Sequence, residues 1–540
     1  MRRLYLVFLI SLMCTSYSEA QNFSNINSIR NHNYVKSEED LILEDSIRND
    51  TSRLYSKIDF IAGTNGYQSL DLTLKSLNYS KRYIEFNLNR NAYNGDFRNS
   101  INSSYRGNVR FRQLLNNGTL EFSLNSRLNN CLNQENAGLL SDSLFLNEVN
   151  DNQLFYDVNI ESSSQRVNYN INKFGFKFFK DSIYGLNNIG KTNYILADFS
   201  FGRYLNKFTI QDINSFYSTN IYNLNGTSDY YKDDSIYTEL GYKFGKELKT
   251  YSLIKIGGNR IVNYELDSLL IYSELKLKNQ IRLKNGLKLS NEFSLPILGR
   301  NLKGFNNLFS LDITNKVNHQ LSIQLGKLKP DFRNEIYHSN HFLIDTILAQ
   351  VSELKIEYGL GVESFSLDIE NNFTKNGVYF DEKLNINQDF NINGYSKIGL
   401  GYKNKINRIN IKLKGAYNIL YGKNIFRLPA YVLLGDLSYK FGVFNSKLKL
   451  SLGAKLRYSD SFYNYAYDPV LFTGYIDDTR MVGNYPFINA YISGRILDVV
   501  FVFEVSHLNQ GLMGNDYFLS PGYPDFGRII KFGLKWQLWD

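Results

Sequence analysis

The sequence predicts an all-β fold: one large single-chain antiparallel transmembrane β-barrel of about 24 strands, within a range of about 20 to 26, and no separate plug domain. Three observations carry this. The chain ends in an unbroken period-2 stretch, in which Ile530, Phe532, Leu534, Trp536 and Leu538 alternate with Lys531, Gly533, Lys535 and Gln537. It begins with a basic start and a short apolar run. Between these, mean hydropathy is only −0.33, yet 15% of residues are aromatic, with 41 Tyr and 38 Phe. No apolar run reaches the ~18 residues that a membrane helix needs. A barrel reconciles these properties, because half of each strand faces lipid, half faces water, and Tyr and Phe gather at both interfaces.

Met1-Arg2-Arg3, the run Leu4–Met13 and the small-residue site Ser18-Glu19-Ala20 give the three-part layout of a secretory signal peptide, residues 1–20, cleaved between Ala20 and Gln21. Cys14 offers a lipoprotein alternative, but Met13 is large where a lipidation box has a small residue. With Cys14 removed, Cys131 is the one cysteine left, so stability rests on backbone pairing and packing. Residues 21–52 are polar, carry Glu38-Glu39-Asp40 and read as a flexible periplasmic lead-in. The barrel is assigned to 53–540.

Strand patterning starts near Leu54. Leu70, Leu72 and Leu74 form one stripe; Ile84, Phe86 and Leu88 form another. Val109 and Phe111 face Leu120, Phe122 and Leu124 across Asn116-Asn117-Gly118. Leu275 to Leu295 reads as a hairpin about a two-residue Asn285-Gly286 turn. Leu354–Leu360, Phe365–Ile369, Ile409–Tyr417 and Leu448–Tyr458 continue the alternation, the last with Lys447, Lys449, Lys455 and Arg457 facing an aqueous lumen. No segment sustains helical spacing. Counting backwards from the C-terminus puts 509–526, 459–483, 420–431 and 389–394 outside the cell. The links near 494–497, 441–446, 403–407 and 374–376 then fall in the periplasm. The same count leaves the long stretch 329–350 on the periplasmic side, which conflicts with its length and points to a hidden strand near Phe342–Leu348 or to a miscount.

Formal net charge is +9, and removal of Arg2, Arg3 and Glu19 leaves +8. The charges are interleaved and no recognition module is present, which excludes a nucleic-acid-binding class. Phosphate loops, nucleophile elbows and paired-Cys motifs are missing, so the chain reads as a non-enzyme without cofactor, metal or catalytic site. His338-Ser339-Asn340-His341, with Glu335 nearby, reads as a polar loop, His507 as a structural hydrogen-bonding residue at the rim, and Asp71 and Glu85 as lumen lining.

Lys531, Gly533, Trp536 and Leu538 resemble the C-terminal assembly signal of bacterial outer-membrane barrels (polar, any, Gly, any, any, aromatic, any, hydrophobic). Tyr485-Pro486-Phe487, the strand Val499–Val505, His507-Leu508-Asn509-Gln510-Gly511 and Tyr517–Pro524 precede it. This order is similar to that of the putative porins of Bacteroidetes-type Gram-negative bacteria, over about residues 484–540. The resemblance implies a cell outer-membrane location, contact with lipid and lipopolysaccharide, delivery by the barrel-assembly machinery, and small solutes as cargo. The expected function is a porin-like channel for passive diffusion; the alternative is a non-conducting barrel serving a structural, secretion or adhesion assembly. A receptor energised from the inner membrane would need a plug of over a hundred residues ahead of strands that here begin near Leu54. Tyr463, Tyr465, Tyr467, Tyr475, Asp477, Asp478 and Arg480 mark 459–483 as the candidate constriction loop, its aromatics packing on the wall and its charged residues hydrated.

Overall fold

The computed structural model describes residues 54–539 apart from 77–81, 148–156, 184–191, 211–215, 218–220, 222–225, 247–249, 264–267, 284–285, 301, 303 and 424. The expected leader with its expected Ala20–Gln21 junction, the segment 21–52 and Asn285 therefore lie outside the described residues. Twenty-two strands pair into one antiparallel sheet. The first strand, Leu54–Gly63, pairs with the last, Ile529–Trp539, placing Lys57 opposite Gln537 and Asp59 opposite Lys535. The sheet is thus closed, and every strand has a partner on both sides. In lipid this is the arrangement that leaves no backbone donor or acceptor at an open edge.

The count is 22, even and inside the expected range, but two below the 24 predicted. Chain length goes into longer strands: Ile386–Ile406 has 21 residues and Thr227–Gly245 has 19. More goes into three short hairpins outside the wall: Ile336–His338 with Leu343–Asp345, Phe462–Asp468 with Thr473–Val482, and Phe518–Ser520 with Tyr523–Pro524. The expected links at 374–376 and 389–394 are not links. The first is a bulge within Phe365–Phe380, where the register shifts between Lys375 and Gly377, and the second lies inside Ile386–Ile406. Removing that false strand moves 329–350 to the same end as 460–486 and 507–528. The connections 134–162 and 211–226 also lie there, while the other end carries two-residue turns at 315–316, 363–364, 407–408 and 497–498. Among the described residues, a six-residue α-helix, Asp142–Asn147, forms in a long connection, where sequence periodicity showed none.

The strands form as the alternation dictates. On Leu448–Ser459, Leu452 and Leu456 are exposed outward while Lys455 and Arg457 point inward to ion pairs. Gly394, Gly399 and Gly401 stand along Ile386–Ile406, where a Cβ at Gly394 would lie 2.3 Å from the Asn372 carbonyl oxygen. Four buried carboxylates of the wall are each held between two cations. Glu121 lies 3.1 Å from both Arg112 and Lys177. Glu239 pairs with Lys255 (2.8 Å) and Lys276 (4.0 Å), Glu370 with Lys355 (3.4 Å) and Lys397 (3.9 Å), and Glu504 with Lys455 (3.1 Å) and Lys531 (3.5 Å). A lone buried carboxylate would carry a large desolvation cost, and a cation on each side offsets it. Asp71 and Glu85 also sit on this face, accepting from Asn89 and pairing with Arg110 at 3.2 Å respectively.

A candidate constriction at the long-loop mouth

The hairpin Phe462–Asp468/Thr473–Val482 grows from the link between the nineteenth and twentieth wall strands, Leu448–Ser459 and Phe487–Ile496. Tyr465 stands opposite Ile476, Tyr467 opposite Gly474 and Asp468 opposite Thr473. At the tip the Asp468 carboxylate accepts from the amides of Val470 (3.0 Å) and Leu471 (2.7 Å), which folds the turn back on its own side chain. Val470 is fully buried. The Tyr217 hydroxyl donates to Asp468 at 3.0 Å, the Tyr337 hydroxyl donates to the Val470 carbonyl at 2.8 Å, and the Phe472 ring meets Phe208 at 5.8 Å. Phe208 belongs to the seventh wall strand, Tyr194–Ile210. The hairpin therefore leaves one side of a 22-stranded wall and touches the far side, so it crosses the mouth.

Its flanks are held as well. On one side Tyr465 donates to the Ile425 carbonyl and Arg427 pairs with Asp478. On the other, Asn464 donates to the Leu519 carbonyl (2.7 Å) and Ser520 to the Tyr465 carbonyl (2.5 Å). Arg480 reaches Asp142 and Asp516, both at 2.8 Å, and lies 3.7 Å over the Phe518 ring. Beneath it Phe97, Leu139, Phe145, Tyr485, Phe487, Tyr517 and Phe518 form one apolar cluster. Gly138 permits a close backbone approach: its φ is +83°, and an added Cβ would sit 2.8 Å from the Gly522 carbonyl oxygen. That same oxygen accepts from the Leu139 amide at 2.8 Å.

The expected constriction residues are thus brought together, with two corrections. The tyrosines pack mainly on neighbouring loops: Tyr467 is buried against Tyr523, with ring centroids 6.3 Å apart, and Tyr463 stays partly exposed. Arg480 is not a hydrated charge but a clamp between two aspartates, and Asp478 is tied to Arg427; Asp477 accepts from the Thr479 amide at 2.7 Å. Burial raises the Tyr475 hydroxyl to about 12 and the Asp468 carboxyl to about 6. His507 is fully buried; its Nδ1 lies 2.7 Å from the Phe526 carbonyl oxygen and its Nε2 2.9 Å from the Tyr485 hydroxyl. Burial lowers its pKa to about 4, so it is a neutral structural ring.

In the polar loop 338–341, His338 is exposed while Ser339, Asn340 and His341 are buried in a docking turn. The Asn340 backbone amide donates to the Asp229 carboxylate (3.0 Å), and His341 Nε2 lies 2.5 Å from the Thr227 hydroxyl while its ring stacks on Tyr217. Glu335 is committed to Arg300 (2.7 Å) and Lys329 (3.0 Å). At the C-terminal strand, Lys531 and Gly533 face inward, with the Lys531 ammonium 4.8 Å over Tyr67, and Trp536 and Leu538 face outward, 40% and 41% exposed.

A protein-family profile described as "Putative porin" matches residues 42–540. No curated protein matches the sequence. Among solved structures, the chain is similar to a variant of the ferric enterobactin receptor PfeA from Pseudomonas aeruginosa (TM-score 0.61, 9% identity, covering 90% of this chain and 81% of that one). It is also similar to the siderophore receptor PirA from the same organism (TM-score 0.55, 10% identity, 91% and 81%). The FrpB iron transporter from Neisseria meningitidis is a third (TM-score 0.59, 9% identity, 91% and 82%). At such identities the likeness is one of fold: a large outer-membrane barrel.

Proposed function

This chain belongs to the "Putative porin" family, and on that premise we propose that it is a channel for passive diffusion of small solutes across the outer membrane, with the 462–482 hairpin as its constriction. One observation carries the reading. A lumen of 22 strands is wider than that of general porins, and the element that narrows it here is a hairpin of the wall's own connections, pinned to the opposite side through Asp468 and Val470. The polar, ion-paired inner wall suits a water-filled path. The short-turn end then faces the periplasm and the capped mouth faces outward, amid lipopolysaccharide; delivery by the barrel-assembly machinery follows from the Lys531–Leu538 pattern. No catalytic or cofactor chemistry enters this reading, and no plug domain is required for it.

Replacing 464–480 by a short glycine-serine turn is expected to raise single-channel conductance in planar bilayers and admit larger solutes, while the barrel keeps its heat-modifiable gel mobility. Equal conductance with and without the hairpin would remove it as the constriction. The density of the cap, with Phe145, Tyr517, Val470 and Ile160 almost wholly buried, favours a second reading in which the barrel is a non-conducting component of a structural, secretion or adhesion assembly. Silence from both wild type and deletion would favour that reading.

A further inference from the structure

We infer that the lipid-facing side of the wall carries a binding site for the phosphorylated sugar head of outer-leaflet lipopolysaccharide, formed by Arg166, Lys207 and Lys232; this rests on the membrane orientation given above. The three residues belong to neighbouring strands, Ser163–Phe179, Tyr194–Ile210 and Thr227–Gly245. Alternation fixes which side of these strands meets lipid, since Phe176 and Phe178, Phe199 and Phe201, and Ile236 and Leu240 are all exposed. Arg166, Lys207 and Lys232 share that parity, and the pairing runs without a register shift, so they point away from the lumen. Arg166 stands directly opposite Lys207. Lys207 faces Tyr230, which places Lys232 diagonal to it. Opposite and diagonal neighbours stand about 5 and 7–8 Å apart, so three long cationic side chains can converge on one headgroup.

Depth sets the ligand. On the other side of the barrel Tyr417 faces Tyr431, both are exposed, and the Tyr431 ring lies 6.0 Å from Tyr458. Such a girdle marks the outer membrane–water interface. Counted from the short-turn end of each strand, Arg203 reaches this level, and Arg166, Lys207 and Lys232 lie just above it. A cation deep in the lipid band destabilises a barrel, but near the interface that cost almost vanishes, and there it meets anionic headgroups. One carboxylate, Asp234, shares the patch, and Arg203 holds both its oxygens, at 2.7 and 3.0 Å. Arg166 and Lys207 are exposed and form no ion pair among the described residues. The Arg166 fork suits two oxygens of one phosphate, and Lys207 adds a second charge. Asn168 and Asn170, next along the same face, suit sugar hydroxyls, and the exposed Tyr230 ring suits a sugar face.

The test is binding of purified lipid A, the phosphorylated diglucosamine lipid of lipopolysaccharide, to the detergent-solubilised full-length protein, followed by thermophoresis. Wild type is expected to bind. Arg166→Ala with Lys207→Ala should bind about tenfold more weakly or less, with unchanged heat-modifiable mobility. Lipid A stripped of its phosphates should bind wild type as weakly, a comparison that needs no variant to fold. Equal affinity of wild type and double variant, or of intact and dephosphorylated lipid for wild type, would overturn the site. So would a wild type that dimerises in detergent and becomes monomeric with the two substitutions, since the face would then cover a second copy of the chain. Orientation is read separately. Thr479→Cys in a Cys131→Ser background, exposed on the hairpin at the long-loop mouth, should react with an impermeant maleimide in intact cells. Labelling only after the outer membrane is permeabilised would overturn the orientation, and with it the choice of lipid. Labelling of intact cells together with no lipid A binding would overturn the site alone.

Discussion

Asp468 shows what a single residue does in the cap. Its carboxylate ties the hairpin tip to its own backbone and to Tyr217, yet the site strips its hydration and raises its pKa to about 6. A raised folded-state value means that its contribution is fully present below the ordinary value near 3.8 and is lost as pH rises through about 6. His507 works in the opposite sense. Its value is lowered to about 4 from 6.5, so its contribution is full above 6.5 and is lost as pH falls through about 4. The tip should therefore be held more tightly near pH 5 than near pH 7.5. Limited proteolysis at 469–472, normalised to an unfolded control substrate, should be faster at pH 7.5 in wild type. Asp468→Asn keeps acceptor capacity without charge and should be cut slowly at both values. A wild type cut at one rate at both would show that Asp468 does not govern the tip. The individual tyrosines of this hairpin were legible in the sequence; the partners of Arg480 were not, because Asp142 lies more than three hundred positions away along the chain.

At the scale of elements, alternation revealed strands more reliably than it revealed their ends. In the hairpin Ser268–Arg282/Leu287–Leu298, Ile281 stands opposite Leu289, and the Leu283 amide donates to the Leu287 carbonyl at 2.8 Å. The described pairing thus runs on to Leu283 and Leu287, one position off the register that a two-residue Asn285-Gly286 turn predicts, and Gly286 has φ +76°. A two-residue loop would have set Leu275 and Leu277 on the face opposite Leu295 and Phe293, since a one-residue slip inverts a strand; the apolar stripe decided the turn. The bulge at Lys375/Gly377 misled in the other direction, interrupting alternation without ending the strand. The last strand has a role beyond pairing if its outward Trp536 and Leu538 form part of an assembly signal. Trp536→Ala with Leu538→Ala should then sharply lower the heat-modifiable barrel recovered in outer membranes. Leu450→Ala with Leu452→Ala, on the same outward face of a middle strand, should lower it less. Equal recovery of the two would reduce the motif to ordinary wall.

For the whole molecule, closure is the property on which the rest depends, because it sets both the wall's stability in lipid and the distance the hairpin must cross. The class of fold was legible from composition, alternation and the terminal strand; the cap was not. It joins connections that leave the wall at widely separated strands, through Tyr217, Tyr337, Arg427 and Phe145, and periodicity within any one strand carries no trace of such a meeting. Closure itself can be tested at the seam. Lys57 and Gln537 are directly opposite, although 480 positions separate them. In a Cys131→Ser background, Lys57→Cys with Gln537→Cys should oxidise to an intramolecular disulfide, since cross-strand neighbours bring their Cβ atoms to about 4.5–5.5 Å. The boiled, oxidised chain would then be a ring that runs differently from its reduced form on denaturing gels. An open sheet would hold these two strands apart as free edges, so thiols that stay free, or dimers in place of the ring, would show that the seam is not closed.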